Sequence, residues 1–411
     1  MLSRLVFVLG LLSATALVHP ALAADARTLQ IFVSKDAQSL TLYDGAEVVA
    51  TSKVSTGKPG HATPSGIFSV IEKRRYHESN LYSAAPMPFM QRLTWSGIAL
   101  HESDSVPQYP ASHGCVRMPS AFAKQLYKLT EMGVPVIITD GELTPEPIDH
   151  PTLFRPDMPE PAALLSDAAL RPAIGQAPVQ VAMNDVALPA AQTPAARAPA
   201  NDTPIRILIT RRSLREEVID LQTYLNELGF AAGEPDGLLG SATLQAIGDF
   251  KLKYPVEPTA DKSPTSDALT KAVYAAAGKG TPPNGVIMIR QGFQPVLEAP
   301  ISIENPRLAL GTHFLMARSI DFETGSADWM GATLPNTLSR ATMTRLGISS
   351  LESSIISGTP IANALSRIDI PDETRRKIDA MLTPGSTLTI SDTGLGPETG
   401  NGTDFITLTR G

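Results

Sequence analysis

The chain contains a single cysteine, Cys115, and two of its seven histidines, His101 and His113, lie within fourteen residues of it. A free thiol with a pKa of about 8.5 is only a few per cent thiolate at neutral pH, so a nucleophilic cysteine needs an imidazole to take its proton or to stabilise the anion. Cys115 is therefore the candidate nucleophile, with His101 and His113 as the imidazoles near enough in sequence to serve it. Within Ser112-His113-Gly114-Cys115-Val116-Arg117, Gly114 permits a close backbone approach, so that amide N–H groups can face the oxyanion formed when a thiolate attacks a carbonyl. Duller uses compete. A lone cysteine also serves as a small buried hydrophobe, and His101, which follows Ile98-Ala99-Leu100, could be a satisfied histidine at a strand end. Zinc is not expected, because a structural site needs four ligands and there is no second cysteine.

The elements that must position these groups are legible in the hydrophobic periodicity. Leu29, Ile31 and Val33 alternate, as do Leu40 and Leu42 before the turn Asp44-Gly45, and Val48-Val49 open another extended run; this predicts a meandering sheet over about 28–140. After Cys115 one helix is expected, with Pro119 in its first turn, Phe122, Leu126 and Leu129 on one face and Gly133 closing it before a strand from Val134 to Thr139. Residues 141–204 hold 12 of the 35 prolines and few aromatics, which predicts an extended tether unable to bury enough apolar surface to order itself. Ser213 and Glu216 then stand at capping-box spacing ahead of the stripe Leu214, Val218, Leu221, Leu225, Leu228, and two further stripes, Leu244 to Phe250 and Leu269 to Val273, complete a small three-helix domain over 213–278. From Gly285 onward the pattern is strand-like again, with a helix at 372–382 and a strand at 388–390. The expected fold class is multidomain α+β: a mainly-β domain over 27–140, an all-α domain over 213–278 and an α+β domain over 285–411.

That last region resembles the first. Aligned without a gap, Met118-Pro119-Ser120 meets Ile370-Pro371-Asp372, Gly133 meets Gly385, Ile138 meets Ile390 and Asp140 meets Asp392. With gaps allowed, Ser65-Gly66-Ile67-Phe68 resembles Gly311-Thr312-His313-Phe314. In the gapless register Cys115 falls opposite Arg367 and His113 opposite Leu365, so a second copy would have lost its chemistry.

Charge and targeting narrow the function. A net charge of -7, from 34 basic against 41 acidic residues with no basic run, gives no footprint for a phosphate backbone, so nucleic acid is not an expected partner. Arg4, the apolar run Leu5 to Val18 and Ala21-Leu22-Ala23 read as a signal peptide over 1–23, cleaved after Ala23, with no stable membrane insertion afterwards. The mature protein is expected to be secreted, in the periplasm or outside the cell. A lone thiol in an oxidising compartment can form no internal disulfide and is a hazard unless it is used.

The array His101, eleven residues, then Ser-His-Gly-Cys-Val-Arg, together with Ser55-Thr56-Gly57 and Thr63-Pro64-Ser65-Gly66-Ile67-Phe68, resembles the signature of the YkuD-type L,D-transpeptidases over about residues 27–140. The resemblance implies a cysteine acyltransferase acting on peptidoglycan stem peptides without a cofactor. It makes Cys115 the nucleophile, His101 the base oriented by the Glu102 carbonyl, and His113 and Gly114 part of the oxyanion side, with Ser112 and Arg117 toward substrate, Arg117 for a carboxylate. The helical region, through Leu221-Gln222, Leu225, Leu228-Gly229, Asp236-Gly237, Gly240, Thr243, Ala246 and Phe250, resembles a peptidoglycan-binding domain and implies a glycan partner; Lys251 and the stretch Pro255 to Pro264 depart from that pattern. Two other readings stay open: an L,D-carboxypeptidase or endopeptidase of the wall, and an inactive peptidoglycan-binding scaffold.

Overall fold

The computed structural model describes residues 27–79, 84–156, 201–258, 263–335, 337–351 and 358–409. The expected signal peptide over 1–23 and residues 157–200 of the expected tether lie outside the described residues. No helix among the described residues is long and apolar enough to cross a membrane.

The first region is mainly β. Strands β1 (Leu29–Ser34), β2 (Ser39–Asp44) and β3 (Glu47–Lys53) form an antiparallel meander, as the alternation predicts. Next come β4 (Gly66–Ser69), then β5 (Glu72–Arg74), β6 (Met90–Arg92), β7 (Ala99–Glu102) and β8 (Val116–Met118), the last four forming a small sheet in sequence order. Helix α1 (Ser120–Leu129) leads to β9 (Pro135–Thr139), which lies between β4 and β1, parallel to β1. Ile31, Val33, Leu40, Leu42, Val136 and Ile138 point into one core. Phe122 and Leu126 of α1, with Leu100 and Val116 of the small sheet, close it from the other side.

The chain then crosses over. β10 (Glu146–Ile148) belongs to a second, eight-stranded sheet, and Leu153 and Phe154 are buried in that sheet's core, where the Trp329 indole donates to the Phe154 carbonyl at 3.1 Å. The stretch up to Pro156, assigned by composition to the tether, is thus packed. Averaging over a proline-rich window hides a two-residue apolar anchor.

β11 (Ile205–Arg211) also lies in the second sheet, so that sheet begins well before residue 285. The helices α2 (Leu214–Glu227), α3 (Ser241–Lys253) and α4 (Asp267–Ala276) follow. α2 opens on the expected capping box of Ser213 and Glu216, and the three helices bury Leu221, Leu225, Ile247, Phe250, Leu269 and Val273 together. β12 (Gly285–Gln291) then pairs antiparallel with β11, placing Gly285 opposite Arg211. The helical unit is therefore an insertion between two adjacent strands. The rest comprises β13 (Gln294–Ile303), β14 (Thr312–Asp321), β15 (Ser326–Leu334), α5 (Arg340–Arg345), α6 (Pro360–Leu365), β16 (Ile368–Asp369), α7 (Asp372–Asp379), β17 (Thr387–Ser391) and β18 (Thr407–Leu408).

The two larger sheets share one plan. The order β4-β9-β1-β2-β3 in the first is matched by β14-β17-β11-β12-β13 in the second. Ile31 faces Val136 across a parallel pair, as Ile207 faces Leu388. At the end of each first strand a cation pairs with an aspartate: Lys35 with Asp140 at 2.7 Å, and Arg211 with Asp392 at 2.7 Å. Each cation also donates to the loop ahead of the next matched strand, to Thr63 O in one case and to Pro306 O and Leu308 O in the other. The ladders correct the upstream alignment by one residue. Gly66 pairs with Ile138 and His313 with Ile390, so Ile67 corresponds to Phe314 and Phe68 to Leu315. Strand side chains alternate, and a one-residue slip exchanges the faces; Ile67 and Phe314 share the cluster between the sheets, whereas Phe68 and Leu315 each face their own core. Opposite Cys115 stands Arg367, buried and donating to the carbonyls of Glu304, Asn305, Leu308 and Ala309.

The sheets pack back to back. Phe32, Tyr43, Ile67 and Ile137 of the first meet Phe314, Met316, Ala332 and Leu334 of the second. The chain then returns: β18 pairs antiparallel with β4 and becomes an edge strand of the first sheet, and Ile406 enters the first core. Gly66 allows this, since a Cβ there would lie 2.3 Å from the Thr407 carbonyl oxygen.

His313 shows how much this packing depends on pH. It is fully buried, with one ring nitrogen at 2.8 Å from the Leu310 carbonyl and the other at 3.0 Å from the Thr333 hydroxyl. Burial pushes its pKa down to about 4. Between that value and the ordinary value the unfolded chain holds a proton that the folded one does not, so stability falls as pH drops through this window. The contribution amounts to about 2 kcal/mol between pH 7 and pH 5. His313→Gln is expected to flatten the pH dependence of the unfolding free energy, read by urea titration, by about that amount; an unchanged slope would refute the linkage.

Candidate active site

The small sheet brings the three charged or reactive side chains to one wall. β7 and β8 run parallel, with Leu100 opposite Val116 and His101 opposite Arg117. Alternation sends Leu100 and Val116 into the core and His101 and Arg117 to the other face. Cys115, one residue before β8, falls on that same face. This face lines a cleft of about 370 Å³, together with Met87, Glu102, Asp104, Ser112 and His113.

The loop carrying the thiol is held by the segment the sequence singled out. Ser55 and Arg117 exchange backbone hydrogen bonds at 3.0 and 2.9 Å, Thr56 O accepts from Ser112 N–H, and Ser112 O accepts from Lys58 N–H. The Thr63 hydroxyl donates to Gly114 O at 2.7 Å and accepts from Gly57 N–H at 2.8 Å. Gly114 has φ +117°, and a Cβ there would come within 2.9 Å of Ile98 Cδ1. The close approach therefore needs glycine at this position. Ser112 faces inward: its hydroxyl donates to Cys115 O at 2.5 Å and accepts from Gly114 N–H at 3.1 Å. That arrangement shapes the loop rather than offering the hydroxyl to a ligand, and it already engages the Gly114 amide expected on the oxyanion side.

His101 is 8% exposed, and its Nδ1 lies 2.7 Å from Glu102 O. A carbonyl only accepts, so Nδ1 carries the hydrogen and the neutral ring presents the Nε2 lone pair. Burial, with the Arg117 cation nearby, pushes the His101 pKa down to about 4, against the opposing effect of the Glu102 carbonyl. Cys115 is half-buried and packs against Met87, Met90 and Ala99. Its thiol donates to Gly97 O at 3.2 Å. Burial pushes the thiol pKa up, partly offset by a hydrogen bond from the Ala99 backbone and by the cations Arg92 and Arg117. At rest both groups are thus neutral, a thiol and an imidazole lining the same cleft.

His113 is exposed, and its ring meets that of His61 edge-on at 4.8 Å. Desolvation lowers its pKa, aided by Lys58, His61 and Arg117. The Arg117 guanidinium has no acidic partner among the described residues, and so is available to an anion entering the cleft. Glu102 contributes a second feature: its carboxylate oxygen Oε2 is buried without a hydrogen-bond partner. Among the described residues no group of three or more metal-ligating side chains occurs. Gly97, the acceptor for the thiol, was not singled out from the sequence, although Ser96-Gly97 is a recognisable turn signal.

Known proteins resemble two parts of the chain. Residues 29–138 match the family model of the L,D-transpeptidase catalytic domain, and residues 215–260 that of a putative peptidoglycan-binding domain. No curated protein matches. Among solved structures, the chain is similar to an L,D-transpeptidase from Mycobacterium smegmatis, at 23% identity over 28% of this chain and 59% of that one, with a TM-score of 0.26. It is similar also to an L,D-transpeptidase from Xylanimonas cellulosilytica (residues 123–326), at 29% identity over 27% and 59%, TM-score 0.26. A third is an Enterococcus faecium L,D-transpeptidase, at 26% identity over 27% and 49%, TM-score 0.25. The match thus spans less than two thirds of each of these proteins.

Proposed function

We propose that this protein is an exported peptidoglycan L,D-transpeptidase that works through a Cys115 thioester. The observation that carries the reading is a neutral imidazole, fixed by the Glu102 carbonyl with its lone pair free, on the same cleft wall as the only thiol. His101 Nε2 takes the thiol proton as sulfur attacks the carbonyl carbon of the third stem-peptide residue. The C–N bond to the terminal D-alanine breaks, and the proton passes from His101 to its departing amine. A thioester remains. The side-chain amine of a neighbouring stem then attacks the thioester, gives up a proton to His101 and expels the thiol, leaving a cross-link between two third-position residues. Arg117 holds a carboxylate of the stem through its planar fork, and the unpartnered Glu102 oxygen suits a cationic amine in the same cleft. His113 and Gly114 shape the oxyanion side. The helical insertion binds glycan and raises the local concentration of stems.

The experiment is mass spectrometry of muropeptides after incubation of the purified mature protein with wall polymer. New third-to-third cross-links with release of D-alanine are expected. Shortened stems without any new linkage would replace transfer by hydrolysis, with water taking the place of the amine, and an unchanged profile would leave only a binding scaffold.

A further inference from the structure

The C-terminal region reaches the thiol site through the loop between β17 and β18. This loop is pinned from beneath by Arg290 of β12, which donates to Thr403 O at 3.0 Å and to Gly400 O at 2.7 Å. It is closed on itself by Gly396 N–H to Ile406 O at 2.7 Å and by Ile406 N–H to the Thr399 hydroxyl at 2.9 Å. From this braced loop the Glu398 carboxylate reaches into the first region, accepting from Ser96 N–H at 2.8 Å and also from the Ser96 hydroxyl. One carboxylate thus takes both donors of one turn residue.

Ser96 sits in the tight turn Thr94–Gly97 between β6 and β7. Gly97 N–H donates to Thr94 O at 3.2 Å, and the Thr94 hydroxyl accepts from Ile98 N–H at 3.0 Å and lies 3.0 Å from the Ser96 hydroxyl. The turn's last carbonyl, Gly97 O, receives the Cys115 thiol. Ser96 is exposed, and Glu398 holds it from outside the turn.

We propose that Glu398 is a positioning residue for the nucleophile: by gripping Ser96 it fixes the Gly97 carbonyl where it keeps the Cys115 thiol protonated and parked. A carbonyl can accept a hydrogen bond from S–H but offers nothing to S⁻, so its placement favours the neutral form. The other titratable or charged groups around the thiol are Arg92 from β6, His101 and Glu102 from β7, Asp104 beyond it, Arg117 from β8 and His113 from the thiol's own loop. Of these, Arg92 also touches the turn, through the Trp95 ring at 5.8 Å; its withdrawal would raise the midpoint, opposite to the shift expected from the carbonyl. A region that has Arg367 where the first has its thiol thereby acts on the first region's chemistry.

The test is the rate of Cys115 alkylation by iodoacetamide from pH 6 to pH 11 in wild type, Glu398→Ala and Ser96→Ala. In Glu398→Ala the midpoint is expected to fall by about 0.5–1 pH unit, which makes alkylation at pH 7 roughly three- to tenfold faster. Ser96→Ala, which keeps the N–H contact and loses only the hydroxyl, is expected to move the midpoint the same way by less. A merely structural contact would lower the melting temperature and leave the midpoint alone. Should the midpoint stay put or rise in Glu398→Ala, the proposal is wrong; if that variant does not fold, a null or upward shift in Ser96→Ala decides against it equally. Alkylation requires no wall peptide, so the outcome is independent of the reaction proposed above.

Discussion

Cys115→Ala is expected to abolish formation of a covalent adduct with a carbapenem while leaving the fold intact. The side chain is only half-buried, and it packs against a cluster with two methionines, which adapt readily to fill space. Loss of stability is therefore expected to be about 1 kcal/mol. Intact-mass measurement checks the adduct and calorimetry the fold; an adduct on the alanine variant would remove Cys115 from the chemistry. The protonation states sharpen the expectation. Burial favours S–H and neutral imidazole together, so proton transfer between them runs uphill and happens as the sulfur attacks, not in a standing ion pair. Because the His101 pKa is about 4, the wild-type acylation rate is expected to hold level down to about pH 5 and to fall below it. His101→Gln leaves only the scarce free thiolate. Its rate at pH 7 is expected to drop by about 10²–10⁴ and then to climb about tenfold per pH unit up to the thiol's own pKa. A level profile in that variant would show that another group is the base.

Deleting 285–411 is expected to leave an insoluble protein. The deletion removes β18 from the edge of β4, takes Ile406 out of the first core, and uncovers Phe32, Tyr43, Ile67 and Ile137. Exposing each such side chain costs about 1.5–3 kcal/mol, and four together rival the ~5–15 kcal/mol that hold an ordinary domain folded. A graded version isolates one contact: Ile406→Ala is expected to cost about 2–5 kcal/mol and to lower the denaturation midpoint of the first region, read by near-UV circular dichroism. A soluble truncated protein that still forms the carbapenem adduct would show that the first region folds alone.

The site was legible in the sequence wherever chemistry imposes spacing. A thiol needs an imidazole, a loop that turns tightly needs glycine, and both requirements leave residue types at fixed positions; Cys115, its neighbours His101 and His113, and Gly114 became candidates in this way, whereas the choice of His101 as base came from the family resemblance. The strand alternation around Leu29 and Leu40 and the capping box at Ser213 were equally visible, because each follows from a local rule. What stayed hidden was long-range. Nothing local marks Ile406 as part of a core whose other members precede it by hundreds of residues, or assigns Ile205–Arg211 to a sheet completed only after three helices. The alignment of Ile67 slipped by one residue because similarity of letters does not report which face a side chain occupies. Ser112 was read by its place in a motif, whereas the direction of its hydroxyl is a matter of three dimensions. Gly97 acts through a carbonyl, which every residue has.

The strand exchange also sets a timetable. β18 is synthesised long after β4 and β9, by roughly 15–50 s at ~5–20 residues per second, and until it arrives the first sheet has an open edge beside Gly66. If the protein leaves the cytoplasm as an unfolded thread, the thiol pocket cannot mature while the remainder is still behind the membrane. Under the proposed function, assembly then waits for delivery, because the first sheet is complete only once β18 has paired with β4.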